Sequence, residues 1–347
     1  MPATDLEALA HRHAILRFAV GVSTAFVLSE LMGWYPTFLA PLLIATLLAS
    51  LPAALPIKAG VVLILVQAAG AAAAFTLSSL LRETPTVLFG TIGLVVFLSF
   101  TAIASGRAFF PTLLVLVCFS TIPIVTLTTP EQAGSLPVAF IRGMVVAVIA
   151  VWLAYAIWPR VAPKPEPAAA AREVDPAQLA LAGLAIVLPL MLIYLMYGLT
   201  DALPVLITTV VLVVNFDPSR GAMQGLAMVL GNLLGGMIAI LCHSMLAIAP
   251  SLFTLGFTTF GLGLLFARRI EQGGPASAVA LMTFNQSMIM LSLGLVPGPS
   301  SSGLWLTRLL QFSIAYAFAV GLMYLILPHG EDQKRRQAPK ENRKAPA

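Results

Sequence analysis

Charge is what this sequence has least of. Only 10% of its 347 residues are Asp, Glu, Lys or Arg, against about 25% in an ordinary soluble domain. Because 59% of the residues are hydrophobic and the mean hydropathy is +0.96, composition excludes a single water-soluble core. Cysteine is scarce too. Cys118 and Cys242 both fall inside apolar runs, which leaves no disulfide framework and no CxxC pair. There is no GxxxxGK[ST] loop, so ATP hydrolysis by the usual phosphate cradle is excluded. Neither HExxH nor a Cys/His cluster with metal spacing occurs, and no GxSxG elbow is present. The expectation is a chain without cofactor or metal that is not an enzyme. The net charge of +5 does not indicate nucleic acid, because six of the nineteen Lys/Arg crowd into the tail from Lys334 to Lys344 and most others lie in short loops.

What the chain has in abundance is long apolar runs. In a bilayer only helices and closed barrels satisfy their own backbone groups. These runs lack the alternation of barrel strands, and their length of ~15–25 residues suits helices. Twelve candidate spans follow: 15–34, 38–55, 59–81, 87–104, 109–127, 139–158, 177–197, 203–216, 222–247, 251–267, 276–295 and 304–327. The first starts near Ile15 without a small-residue cleavage site and reads as a retained span. The expected fold is all-α, a polytopic membrane protein. Residues 1–158 would form a first six-helix set and 177–328 a second. A Pro/Ala-rich linker (159–176) separates them, and a basic, disordered tail (329–347) follows.

Counting Lys/Arg on alternate sides orients the chain. With the N-terminus in the cytoplasm, only Arg82, Arg142 and Arg308 fall outside, against sixteen inside. The expected location is a bacterial inner membrane, with both termini cytoplasmic.

The two sets also resemble each other. Gly33 and Gly198, Gln67 and Asn232, Gly70 and Gly235, and Phe119 and Phe284 are all separated by 165 residues; Arg142 and Arg308 are separated by 166. Six spans per set give both halves one orientation, so the repeats would be parallel, about an axis along the membrane normal.

Arg142 and Arg308 each lie about one turn inside a span, where a charge is costly. They read either as headgroup anchors with snorkelling stems or as a pair of cations that hold an anion by bidentate hydrogen bonds. Glu30, near the outer end of the first span, is a partner for Arg142 and the first proton-carrier candidate; Asp201, in the following outer loop of the second set, is the next. His243, isolated in the ninth span, reads as packing.

In repeat-built transporters, short or broken spans at matching positions mark the binding site. The second span contains Pro41 and Pro52, and the eighth is short and starts at Pro204. Gln67 and Asn232 lie ~12–15 Å from the cytoplasmic ends of their spans. Phe119, Ser120, Thr121, Phe284, Asn285 and Gln286 fall at a similar depth. Together they would line a cavity for an amphipathic aromatic molecule; the plainer alternative is interhelical glue. The Gly- and Ala-rich third and ninth spans suit close helix packing, between halves or in a homo-oligomer.

The opening LRFAVGVSTAFVLSELMGWYPTFLAPLLIATLLAS (16–50), with Pro56-Ile57-Lys58 after it, resembles the fusaric-acid-resistance and aromatic-acid-exporter superfamily. An arginine-led first span, a Gly-Trp/Pro turn and a second span running to a Pro-x-basic segment carry the likeness, which extends over about 15–328 as a six-plus-six arrangement. The sizeable cytoplasmic domains of many relatives are missing. The resemblance implies efflux of aromatic carboxylic acids and related compounds, and partnership with a periplasmic membrane-fusion adaptor. The expectation is therefore an inner-membrane permease for small aromatic or anionic compounds. The alternative is a membrane scaffold subunit without transport.

Overall fold

The computed structural model describes residues 3–51, 53–106, 109–161, 176–199, 203–215, 221–295 and 302–326. These form twelve α-helices and one short 3-10 turn at Pro130–Gln132, and no strand occurs among them. The helices are α1 (Ala3–Leu31), α2 (Leu39–Ser50), α3 (Ile57–Leu80), α4 (Pro85–Ala104), α5 (Phe109–Thr128), α6 (Ser135–Ile157), α7 (Pro176–Tyr197), α8 (Leu203–Asn215), α9 (Gly221–Ile248), α10 (Leu252–Glu271), α11 (Pro275–Leu295) and α12 (Ser302–Ile326). Each matches one apolar run of the sequence to within a few residues, apart from the N-terminal extension of α1. Most of the expected linker, the whole tail, and Asp201 lie outside the described residues.

Local chemistry sets several boundaries. Proline opens α4, α7 and α11, where its missing N–H costs nothing. Gly33 closes α1 at φ +62°, and the Trp34 N–H reaches back to the Ser29 carbonyl at 2.8 Å. Gly198 closes α7 the same way at φ +61°, with the Leu199 N–H on the Tyr194 carbonyl at 3.0 Å. Both ends need the left-handed residue that glycine supplies.

Among the described residues, eight helices are long and apolar enough to cross a membrane: α1, α3, α4, α5, α6, α7, the later part of α9, and α11. Large apolar side chains project outward from them, among them Leu94 and Leu98 on α4, Leu153 on α6, and Leu234, Leu241 and Met245 on α9. Such a surface fits a multi-pass membrane protein. Helices α2 and α8 have 12 and 13 residues and reach only ~18–20 Å, short of a hydrocarbon core of ~30 Å.

In the first set α3 packs on α5 and α6, α2 on α6 and α1, α4 on α5, and α1 on α6. In the second, α9 packs on α11 and α12, α8 on α12 and α7, α10 on α11, and α7 on α12. The sets meet through α1 against α10, α4 against α7, α2 against α11 and α5 against α8. Small residues bring the two main cross-contacts close. A Cβ on Gly263 of α10 would lie 2.7 Å from the Ala19 Cα of α1, and one on Gly183 of α7 would lie 2.8 Å from the Phe100 ring of α4.

Candidate functional site

The short helices leave space between themselves and their neighbours. A cavity of about 300 Å³, the size of a small-ligand site, lies between α2, α5, α8 and α11. Its walls are largely apolar. Four phenylalanines contribute: Phe38, Phe109, Phe110 and Phe140. The Thr37 and Ser292 hydroxyls share a buried hydrogen bond of 2.5 Å. This places the start of α2 beside the end of α11, so the two helices run antiparallel. The exposed lining residues Ser50, Phe109 and Gly274 gather where α2 ends and α5 and α11 begin. Phe38, Leu39 and Phe140, at the other end, are buried.

Six polar side chains line the cavity: Thr46, Ser50, Gln67, Thr208, Ser277 and Asn285. No Asp, Glu, Lys, Arg or His does so among the described residues. Each hydroxyl donates to a main-chain carbonyl: Thr46 to Leu42 at 2.8 Å, Ser50 to Thr46 at 2.7 Å, Thr208 to Pro204 at 2.9 Å and Ser277 to Ile270 at 2.8 Å. The Gln67 amide is 2% exposed and donates from Nε2 to the Cys118 Sγ at 3.1 Å. Its Oε1 accepts nothing from the described residues. Asn285 Oδ1 is buried and also has no partner.

Of the site residues expected from sequence, Gln67 and Asn285 thus face one cavity. The other described ones do not line it. Ser120 and Thr121 donate back along α5 to Leu116 and Val117 at 2.6 and 2.7 Å. Phe119 is buried in the α5 packing. Phe284 is edge-on to Phe18 of α1 at 5.0 Å and tilted against Phe266 of α10 at 5.8 Å, so it locks the two sets together. Asn232 and Gln286 are each 1% exposed, and neither amide has a hydrogen-bond partner.

Arg142 does not line the cavity. Its guanidinium donates to the Tyr35 carbonyl at 3.3 Å and lies 4.9 Å from the centroid of the Trp34 ring, so it pins the turn between α1 and α2. No ion pair joins it to Glu30. The reading of Glu30 as its partner is therefore corrected: the aromatic ring and the turn carbonyl occupy the guanidinium instead. The Arg308 side chain lies outside the described residues.

Two features were missed from sequence. The phenylalanines that line the cavity sit at the starts of α2 and α5 and in the first turns of α6, and a cluster of Phe at helix starts was the available signal. Arg17 was counted only as a charge near the cytoplasmic end of the first span, yet it is 4% exposed. It donates to the carbonyls of Trp158 and Arg160 at 2.6 and 2.7 Å and lies 4.3 Å from the Tyr155 ring centroid. A cation at the C-terminal end of α6 satisfies carbonyls that the helix leaves free.

Residues 14–154 match the model of a family described as "Protein of unknown function (DUF2955)". The match runs from α1 almost to the end of α6. No curated protein and no solved structure matches the chain.

Proposed function

We propose that this chain is an inner-membrane efflux permease for small aromatic compounds, aromatic carboxylic acids among them. The observation that carries the reading is the uncharged, phenylalanine-lined cavity enclosed by the short helices α2 and α8 together with α5 and α11. Short helices leave the middle of a bundle unfilled, and repeat-built transporters place substrate there.

In this reading all twelve helices belong to the membrane domain, arranged as two parallel repeats. The packing supports it: α3–α5, α3–α6, α2–α6, α4–α5 and α1–α10 each have a counterpart six helices along, namely α9–α11, α9–α12, α8–α12, α10–α11 and α7–α4. The glycine-closed ends of α1 and α7, 165 residues apart, support it too. The family match spanning only the first six helices suits a unit of that size. The likeness of residues 16–50 to aromatic-acid exporters points to the substrate class, and the Lys/Arg bias puts the exposed Ser50 end of the cavity at the cytoplasm. A substrate would enter there and leave past Phe38, Leu39 and Phe140. A periplasmic adaptor is the partner that the same likeness suggests.

Purified protein in liposomes should move labelled aromatic compounds saturably, and a deletion strain should lose resistance to the same compounds. Absence of both saturable flux and any resistance phenotype would leave the scaffold reading in its place.

A further inference from the structure

If the cavity is the transport site just proposed, its hydrogen-bond inventory narrows the cargo. A carboxylate is an acceptor only, and an undissociated acid, a phenol or an amide carries a donor. Free acceptors outnumber free donors in the cavity. All four hydroxyl protons are committed to main-chain carbonyls, and one amide proton of Gln67 is committed to Cys118. What remains is five acceptor atoms, four hydroxyl oxygens and Gln67 Oε1, against three amide protons, one on Gln67 and two on Asn285 Nδ2, while Asn285 Oδ1 is closed off. No cation among the described residues of the lining offsets the charge of an anion there. Burying an unpaired carboxylate in such walls costs several kcal/mol, and the ordinary response is protonation.

Arg142 would be the natural counter-ion, but it is held on the α1–α2 turn by Trp34 and Tyr35. Its neighbour Gly143 packs against Leu39 and Ala40 of α2, so α2 lies between the guanidinium and the cavity.

We infer that the cavity between α2, α5, α8 and α11 takes uncharged aromatic molecules that carry a hydrogen-bond donor, and that it takes an aromatic acid only in its undissociated form. The donor meets Gln67 Oε1 or a threonine oxygen, and the ring packs among Phe38, Phe110 and Phe140.

The test is saturable binding to the full-length protein in lipid nanodiscs, with protein-free discs as the background. Four labelled probes share one ring: benzamide (neutral donor), methyl benzoate (neutral, acceptor only), benzenesulfonate (permanent anion) and benzoic acid. Benzamide should bind independently of pH. Methyl benzoate should bind about 3- to 10-fold more weakly, the usual worth of one net hydrogen bond, and benzenesulfonate at least as weakly. Benzoic acid should lose about tenfold in apparent affinity per pH unit above its own pKa. Gln67→Leu should weaken benzamide about 3- to 10-fold without changing methyl benzoate. Should that variant fail to fold, the near-isosteric Thr46→Val takes its place with the same expected pattern.

Binding of benzenesulfonate as tight as that of benzamide, or a flat profile for benzoic acid across its pKa, would overturn the inference and leave the permease reading standing. Equal binding of benzamide and methyl benzoate, or benzamide binding unchanged in the folded variants, would overturn it as well. If no probe binds saturably and none is transported, both readings fall together.

Discussion

The helix pairs α3–α5 and α9–α11 occupy matching places in sequence and hold their partners by different means. Between α3 and α5, Gln67 bonds Cys118, and a Cβ on Gly70 would find Val115 at an ordinary 3.5 Å. Between α9 and α11, Asn232 and Gln286 are buried without partners. A Cβ on Gly235 would lie 2.5 Å from the Thr283 carbonyl oxygen, and one on Gly231 would lie 2.8 Å from the Thr283 hydroxyl. Small residues four apart let the second pair approach backbone to backbone. The first pair stays wider, and its amide reaches the cavity. Positions that match in sequence need not carry the same chemistry: one amide lines the cavity, and the other lies in a tight interface.

Substitutions at these matched positions should separate the two interfaces. The largest effect is expected at Gly235. Gly235→Ala should destabilise by about 1–3 kcal/mol, because backbone must move to admit the methyl, whereas Gly70→Ala should be neutral or stabilising by up to ~1 kcal/mol; thermal unfolding of the two purified variants checks the contrast. Next come the unpartnered amides. Asn232→Leu should hold stability or raise it by about 1 kcal/mol, since a buried amide without partners is costly. Gln67→Leu should lower stability by about 1 kcal/mol and slow benzamide flux in liposomes. Equal responses at 67 and 232 would erase the distinction. The smallest effect is expected at Arg142, which belongs to neither interface. Arg142→Gln should cost about 0.5–1 kcal/mol, the worth of a half-exposed cation over an aromatic ring. It should leave the Km for a neutral aromatic probe unchanged; a raised Km would return Arg142 to the substrate path.

The number and placement of the helices were legible because each required a long apolar run, and the shortness of α2 and α8 because prolines bracket one and little apolar sequence is available to the other. That Gln67 and the stretch after Cys118 share a level was legible by counting residues, and the Gln67–Cys118 hydrogen bond agrees. Azimuth was not. Gln67, Phe119, Ser120 and Thr121 share a level, yet only Gln67 turns toward the cavity, because the direction of a side chain depends on which neighbour its helix packs against. Those packing partners, α1 with α10 and α4 with α7, join segments more than 70 residues apart, and no local pattern announces them. The place of Arg142 shows the same limit: its charge and depth could be read, but not the indole and carbonyl that hold it.

A lining without formal charge is blind to membrane voltage. A unit charge crossing 100 mV exchanges about 2.3 kcal/mol with the field, but an uncharged molecule moving through walls with no ionisable side chain among the described residues exchanges none. In the permease reading, cargo leaving in that form is electroneutral, and an acid carries its own proton with it. Flux should therefore track the concentration gradient of the undissociated species and persist unchanged when an ionophore collapses the electrical potential.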